Sequence, residues 1–192
     1  SAGSAATSSS GHFDLSNLVV GDYTFAASRT VTNDSAGSAI TSADALAALK
    51  IAVGINPNSD PDGTGPRVAA TLSPYQLMAA DVNGDGRVTS ADALAILKMA
   101  VKLPTAVTPT WIFADESQTF NLSASNVSYN TAISKTLSAD QAINMVAVLK
   151  GDVNGSWGTS AATSSHVDYS DPNYFATLAN NLHVTQDVWG IS

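Results

Sequence analysis

The alternation of apolar and polar residues changes character three times along the chain. Leu18–Ala27 (LVVGDYTFAA) carries the branched and aromatic side chains of a strand or short hairpin. A helical period then takes over. Thr41–Val53 reads TSADALAALKIAV, and Thr89–Val101 repeats it as TSADALAILKMAV, with differences only at Ala48/Ile96 and Ile51/Met99. Leu46, Leu49 and Val53 in one copy, and Leu94, Leu97 and Val101 in the other, recur at helical spacing and predict two matched helices. Between them, Asn56–Pro66 (NPNSDPDGTGP) is dense in turn formers and reads as a loop. Ser73–Ala80 reads as a short helix, with Ser73 at the N-cap, Pro74 in the first turn and Gln76 completing a capping box.

After Pro104 the period shortens. Thr110–Phe113, Thr119–Leu122 and Asn126–Tyr129 are short β-like runs broken by polar turns. Gln141–Lys150 (QAINMVAVLK) suits a helix by propensity, but its valine pair and the Gly151–Gly155 turn behind it favour a strand. Ser1–Gly11 is almost entirely Ser, Ala, Gly and Thr, an arm that becomes ordered only in a groove of this chain or of a neighbouring copy. From Gly158 the chain is polar and turn-rich, with Tyr169, Tyr174, Phe175, Leu178 and Trp189 placed to pin it as a wrapped tail. The expected segments are an arm (1–17), a β segment (18–32), a loop–helix pair (33–104), a second β segment (105–157) and a tail (158–192).

The loop before the second helix carries the clearest chemistry. Calcium takes six to eight oxygen ligands, which a short loop supplies if oxygen side chains recur at alternate positions with glycine at the sharp turn. Asp81, Asn83 and Asp85 fall at positions 1, 3 and 5, and Gly86 at 6. Arg87 offers its carbonyl at 7, Val88 points inward at 8, Thr89 stands at 9 and Asp92 closes at 12. A capped helix after a polar turn explains Thr89 and Asp92 but not the D-x-N-x-D-G ahead of them. The first copy fits the same frame with one residue deleted: Asp34 at position 1, Ser38 at 5, Ile40 at 8, Thr41 at 9 and Asp44 at 12. There, a capped helix behind a Ser/Gly loop is an equal alternative. Two fragments resemble half-loops. Asn58, Asp60 and Asp62 alternate without a closing acid. Asp152 and Asn154 repeat the opening of the good loop, either to complete a calcium site begun elsewhere or, the preferred reading, as an Asx-type turn ending a strand.

Composition narrows the partners. Sixteen carboxylates against eight Lys and Arg give a net charge of −8, unsuited to nucleic acid or an anionic membrane and open to bound cations. The absence of cysteine removes disulfides, thiolate zinc and a cysteine nucleophile. Polarity from Ser, Thr and Asn suits a secreted surface. No apolar run approaches the ~18 residues of a membrane span. A first residue Ser1 without a leader suggests a processed chain or a fragment. His12, His166 and His183 stand in unrelated polar contexts, and no nucleophile elbow or phosphate loop accompanies the serines, so no enzyme is expected.

The pair of loop–helix repeats resembles the dockerin family, in which duplicated F-hand motifs each join a calcium loop to one helix. Asp81–Val101 matches closely, whereas Asp34–Val53 departs in its loop. The wider order of YTF (Tyr23–Phe25), SPYQLMAADVNGDG, WIF (Trp111–Phe113) and VAVLKGDVNGSW (Val146–Trp157) resembles dockerin-plus-β-sandwich segments at the C-terminal ends of large secreted bacterial surface proteins. The resemblance implies an α+β fold with paired dockerin-like motifs packed with, or inserted into, a small antiparallel β-sandwich. It also implies Ca2+ as cofactor and a cohesin-like partner, met through loop positions 10 and 11. Those positions are Ser42-Ala43 and Ser90-Ala91 here, with Leu97 and Lys98 beside them on the helix. Three functions follow as expectations, all extracellular or at the cell surface. The first is self-assembly into an oligomer, filament or surface layer through the arm. The second is docking to a cohesin-like protein, and the third is carbohydrate binding on exposed Trp111 and Trp157.

Overall fold

The computed structural model describes residues 3–8, 12–31, 39–58 and 71–157. The two repeat helices form as their sequences dictate. Helix α1 (Ser42–Ala52) begins at Thr41, whose hydroxyl accepts from the Ala43 N–H at 3.2 Å, while the Asp44 carboxylate accepts from the Thr41 N–H at 2.8 Å. Helix α3 (Ser90–Ala100) repeats the arrangement with Thr89, Ala91 and Asp92. Both helices end in the same way. The Gly54 N–H reaches the Ile51 carbonyl and the Ile55 N–H reaches that of Lys50, with Gly54 left-handed at φ 77°. In the second copy Lys102 takes the left-handed position at φ 55°, and Leu103 closes onto Lys98.

Each helix buries a face of alanines with one or two larger side chains and turns its leucines outward. Ala45, Ala48 and Ile51 of α1 and Ala93, Ile96 and Met99 of α3 share one buried cluster. The two positions at which the copies differ, Ala48/Ile96 and Ile51/Met99, both lie on this buried face. Helix α2 (Pro74–Ala80) begins with the expected Ser73–Gln76 capping box and buries Leu77, Met78, Ala79 and Ala80.

The strands form two antiparallel ribbons. Strand β1 (Gly21–Phe25) pairs with β3 (Ile133–Leu137), Phe25 opposite Ile133 and Gly21 opposite Leu137. Strand β2 (Trp111–Asp115) pairs with β4 (Met145–Leu149). The loop–helix region is therefore inserted between strands that pair across it. Phe25, Ile133 and Leu137 from one ribbon and Phe113 and Met145 from the other meet in one apolar cluster. Two ribbons sharing a cluster stand where a β-sandwich was expected. Strand β3 answers to no expected run, because ISKTL is apolar only at its two ends. Thr119–Leu122 and Asn126–Tyr129 are not strands; the only pairing near them is an isolated bridge between Ser123 and Asn126. Gln141–Lys150 contains strand β4, buried on both faces, which is why its sequence lacks alternation. Of the arm, residues 3–8 are exposed, and Phe13 and Leu15, with Leu18 just beyond it, pack against the ribbon cluster. The expected tail, 158–192, lies outside the described residues. No described helix is long and apolar enough to cross a membrane.

Gly151 joins the ribbons to the helices. It sits just beyond β4 at φ 102°, donates its N–H to the Ala79 carbonyl at 2.9 Å, and lies so close to the helix pair that a Cβ would meet Ile40 Cδ1 at 2.9 Å and Met99 Sδ at 3.0 Å. Both neighbours are side-chain ends that can yield in part. Gly151→Ala is expected to cost about 2–3 kcal/mol, from left-handed strain of roughly 1–2 kcal/mol and mild overpacking. Urea denaturation at an unchanged m-value would measure it, and a loss under 0.5 kcal/mol would contradict the close approach.

Candidate metal centre

The Asp81–Asp92 loop is built from both ends. Helix α2 delivers Asp81 as its C-cap, and α3 holds Asp92 in its first turn. Between them the side-chain oxygens at alternate positions fold inward onto the loop's own N–H groups. Asp81 accepts from Gly84 at 2.9 Å and from Gly86 at 3.2 Å, Asn83 from Asp85 at 2.9 Å, and Asp85 from Arg87 at 3.0 Å. Asp92 uses one oxygen for the Asn83 N–H at 3.3 Å and the other for Thr89. Gly84 and Gly86 take φ 73° and 83°, which other residues adopt only under strain. Val88 is buried, and its N–H bonds to the Ala124 carbonyl while the Val127 N–H bonds to that of Gly86, so a neighbouring segment braces the loop.

Burial raises the Asp81 carboxyl above its ordinary range, against the downward pull of nearby Lys150 and of the Gly86 and Gly84 N–H groups; Asp92 adds to the rise. The donor set is wholly oxygen, with three carboxylates and a carboxamide at loop positions 1, 3, 5 and 12, the sequence pattern of ligands for a hard divalent cation. The residues fit calcium.

In the first repeat, Asp34 and Ser38 lie outside the described residues, as do Asp60 and Asp62 of the half-loop. Thr41 and Asp44 form the capping box described above. What faces Asp44 is the Asp152–Trp157 turn, from the far end of the described chain. The Asn154 N–H donates to Asp44 at 2.9 Å, across 110 residues of sequence. Asn154 accepts from the Ser156 N–H at 3.0 Å, and Asp152 from the Ser156 N–H at 2.9 Å and the Trp157 N–H at 2.8 Å. The Ser156 hydroxyl donates to the Ala39 carbonyl at 3.0 Å. The segment is thus an Asx-type turn, as preferred, and it also closes against the first helix. Burial pushes the Asp152 carboxyl up to about 7, with Asp44 adding to the shift. Asp44 is itself raised by burial.

Asn58, expected as a possible ligand, serves the core instead. Its carboxamide and that of Gln76 bond reciprocally at 3.0 and 2.8 Å, and Gln76 also donates to the Val153 carbonyl at 3.3 Å. Trp111 and Trp157 do not form the exposed platform expected for a sugar. They are half-buried, meet edge to face at 4.7 Å, and share the Arg29 guanidinium at 5.1 and 4.5 Å. Ser42 and Ser90 are exposed in the first turns, and Leu97 is exposed beside half-buried Lys98. The partner residues expected on the helices are Ser42, Ser90, Leu97 and Lys98. The outward stripe also includes Leu46, Leu49, Val53 and Ile55, and Leu94, Val101 and Leu103. The signal was present in the copies: large aliphatics and small alanines repeat on opposite sides of both helices.

Residues 38–101 match the family model of the dockerin type I domain. The match covers both helices and the second loop, and it begins inside the first loop. No curated protein and no solved structure matches the chain.

Gln76→Ala would leave the buried Asn58 carboxamide without its reciprocal partner, at an expected cost of about 1–3 kcal/mol. Calcium affinity, by contrast, should stay within twofold. Thermal unfolding and titration calorimetry on one preparation would check both, and a large affinity loss would return Asn58 to the ligands.

Proposed function

From a chain whose residues 38–101 form a dockerin-like module, we propose an extracellular, calcium-stabilised module that docks onto another protein through the outer faces of α1 and α3. One observation carries this reading. Leu46, Leu49, Val53, Ile55, Leu94, Leu97, Val101 and Leu103 are 40–64 % exposed on two nearly identical helices. Large aliphatic side chains left exposed at matching positions of both copies are the kind of surface that marks interaction sites on proteins. The charge on these helices is one-sided. Asp44 and Asp92 are buried, so the ionic groups that reach solvent are Lys50, Lys98 and, just beyond α3, Lys102. A chain of net charge −8 thus presents an apolar and positive face. Its complement is an apolar surface rimmed by carboxylates, on a cohesin-like protein. Two copies meeting through this same face would set lysine against lysine.

Calcium is the ion the Asp81–Asp92 loop would hold, through Asp81, Asn83, Asp85 and Asp92, the Arg87 carbonyl, and Thr89 directly or through water. The ion supplies the positive charge that lets the carboxylates sit together out of water. The protein's part is to fix the loop to the start of α3, and so the angle at which the two helices offer their stripes. The reading includes no catalysis: the buried carboxylates Asp44, Asp81, Asp92 and Asp152 are all engaged by N–H groups of their own loops.

Self-assembly is the second reading, supported by the exposed arm residues 3–8 and by ribbons that have two strands each among the described residues, a geometry that suits strand addition. Deleting residues 1–11 would then abolish oligomers in light scattering without changing calcium affinity. Oligomers that survive the deletion would end this reading.

Two outcomes test docking and calcium together. At calcium about 1,000 times above Kd, chelation is expected to remove about 4 kcal/mol of stability. Asp81→Ala or Asp85→Ala should reproduce most of that loss and blunt any further effect of EGTA. In surface plasmon resonance against a panel of cohesin modules, binding is expected with calcium and not with EGTA. The Leu49→Asp/Leu97→Asp double variant should weaken binding at least a hundredfold while its melting temperature holds. A panel wholly silent in calcium would sink the docking reading.

A further inference from the structure

We propose that the first repeat holds a second calcium ion in a loop split between two distant segments: Asp152, Asn154 and Ser156 at positions 1, 3 and 5, and the Ala39 carbonyl, Thr41 and Asp44 at 7, 9 and 12. The proposal rests on the reading of the Asp81–Asp92 loop as a calcium site, and extends it to residues that no contiguous loop would join.

Three side-chain hydrogen bonds of the continuous loop recur in the split one. Asn83 donates its N–H to Asp92, and Asn154 does so to Asp44. The position-1 aspartate accepts from the position-6 N–H in both, Gly86 in one and Trp157 in the other. The position-3 asparagine accepts from the position-5 N–H in both. Gly84 and Gly155 stand left-handed at position 4, with φ 73° and 67°. Position 2 is a buried valine in each loop, and position 8 is buried Val88 or Ile40. At the seam, the Ser156 hydroxyl touches the Ala39 carbonyl, the oxygen that corresponds to Arg87.

Three further observations are independent of that geometry. Position 6 needs glycine in the continuous loop because the chain must turn sharply into position 7. In the split loop the chain leaves at that point, and Trp157 stands there without a left-handed φ. Second, Asp44 and Asp152 are buried together, whereas the only ion pair among the described residues is Lys135–Asp115, elsewhere. Two neighbouring buried carboxylates without a protein cation are the arrangement a bound cation satisfies. Third, the family likeness starts at residue 38 and so covers only the back half of this loop. The front half that the family would supply from adjacent sequence is supplied here by residues 152–156. Asp34, the contiguous alternative at position 1, lies outside the described residues.

The test uses the full chain. Titration calorimetry is expected to find two calcium ions in the wild type, one in Asp152→Asn, one in Asp81→Asn, and two in Asp34→Asn. Terbium luminescence excited through tryptophan gives a second readout, since Trp157 stands within the split loop. Emission should fall more than tenfold in Asp152→Asn and persist in Asp81→Asn. A wild type that binds one ion only, retained unchanged in Asp152→Asn, overturns the split site and leaves the Asp81–Asp92 reading standing. Loss of an ion in Asp34→Asn but not in Asp152→Asn overturns it in favour of a contiguous loop. No bound ion at all overturns both readings. If Asp152→Asn lacks the wild-type circular dichroism, Ser156→Ala replaces it: one of the two sites should weaken at least tenfold, and unchanged affinities overturn the proposal.

Discussion

One carboxylate in each repeat does two structural jobs, and the helical layer depends on it. Asp92 gives one oxygen to the Thr89 N–H, starting α3, and the other to the Asn83 N–H, folding the loop back on itself. Asp44 starts α1 in the same way and uses its second oxygen to capture the Asn154 N–H. Both side chains are fully buried, and every oxygen is met by a donor, which lowers the cost of that burial. The capping box is thus the joint between secondary and tertiary structure. Changing it would unfasten a helix and a loop together.

How much of this was legible depended on range. The capping boxes, the matched helices and the inward-folding Asp81–Asp92 loop follow from residues within a dozen positions of one another, and the sequence carries them openly. Strand β4 was legible as a buried run once its valines were weighed against helix propensity. Strand β3 was not. Its ISKTL sequence is mostly polar, and only pairing with β1, far upstream, makes it a strand. Asn58 misled for the same reason: its oxygen matches a ligand pattern locally, but the partner that claims it is Gln76, 18 residues away. The meeting of Asp152 with Asp44 lies at the limit of what one sequence shows. The half-loop was visible, while the half it completes was 110 residues distant.

The repeats also show how near-identity serves two surfaces at once. Outward positions are conserved between the copies, Leu46 with Leu94 and Leu49 with Leu97, so the stripes match. Inward positions differ at Ala48/Ile96 and Ile51/Met99, where side chains share a close-packed interior and must divide its volume between them. A shared exterior over a differentiated interior is what a duplicated unit needs to present two equivalent faces from one core.

The contact between Ser156 and Ala39 has a consequence for chain order. Asp152–Trp157 and Ala39–Asp44, read in succession, spell twelve positions without gap or overlap, DVNGSW followed by AITSAD. The repeat is therefore cut and rejoined elsewhere in the manner of a circular permutation, with its leading half carried to the distal side of the strands. Fusing Trp157 to Ala39 and opening the chain within the ribbons would make both twelve-residue stretches continuous in sequence ahead of the same helices.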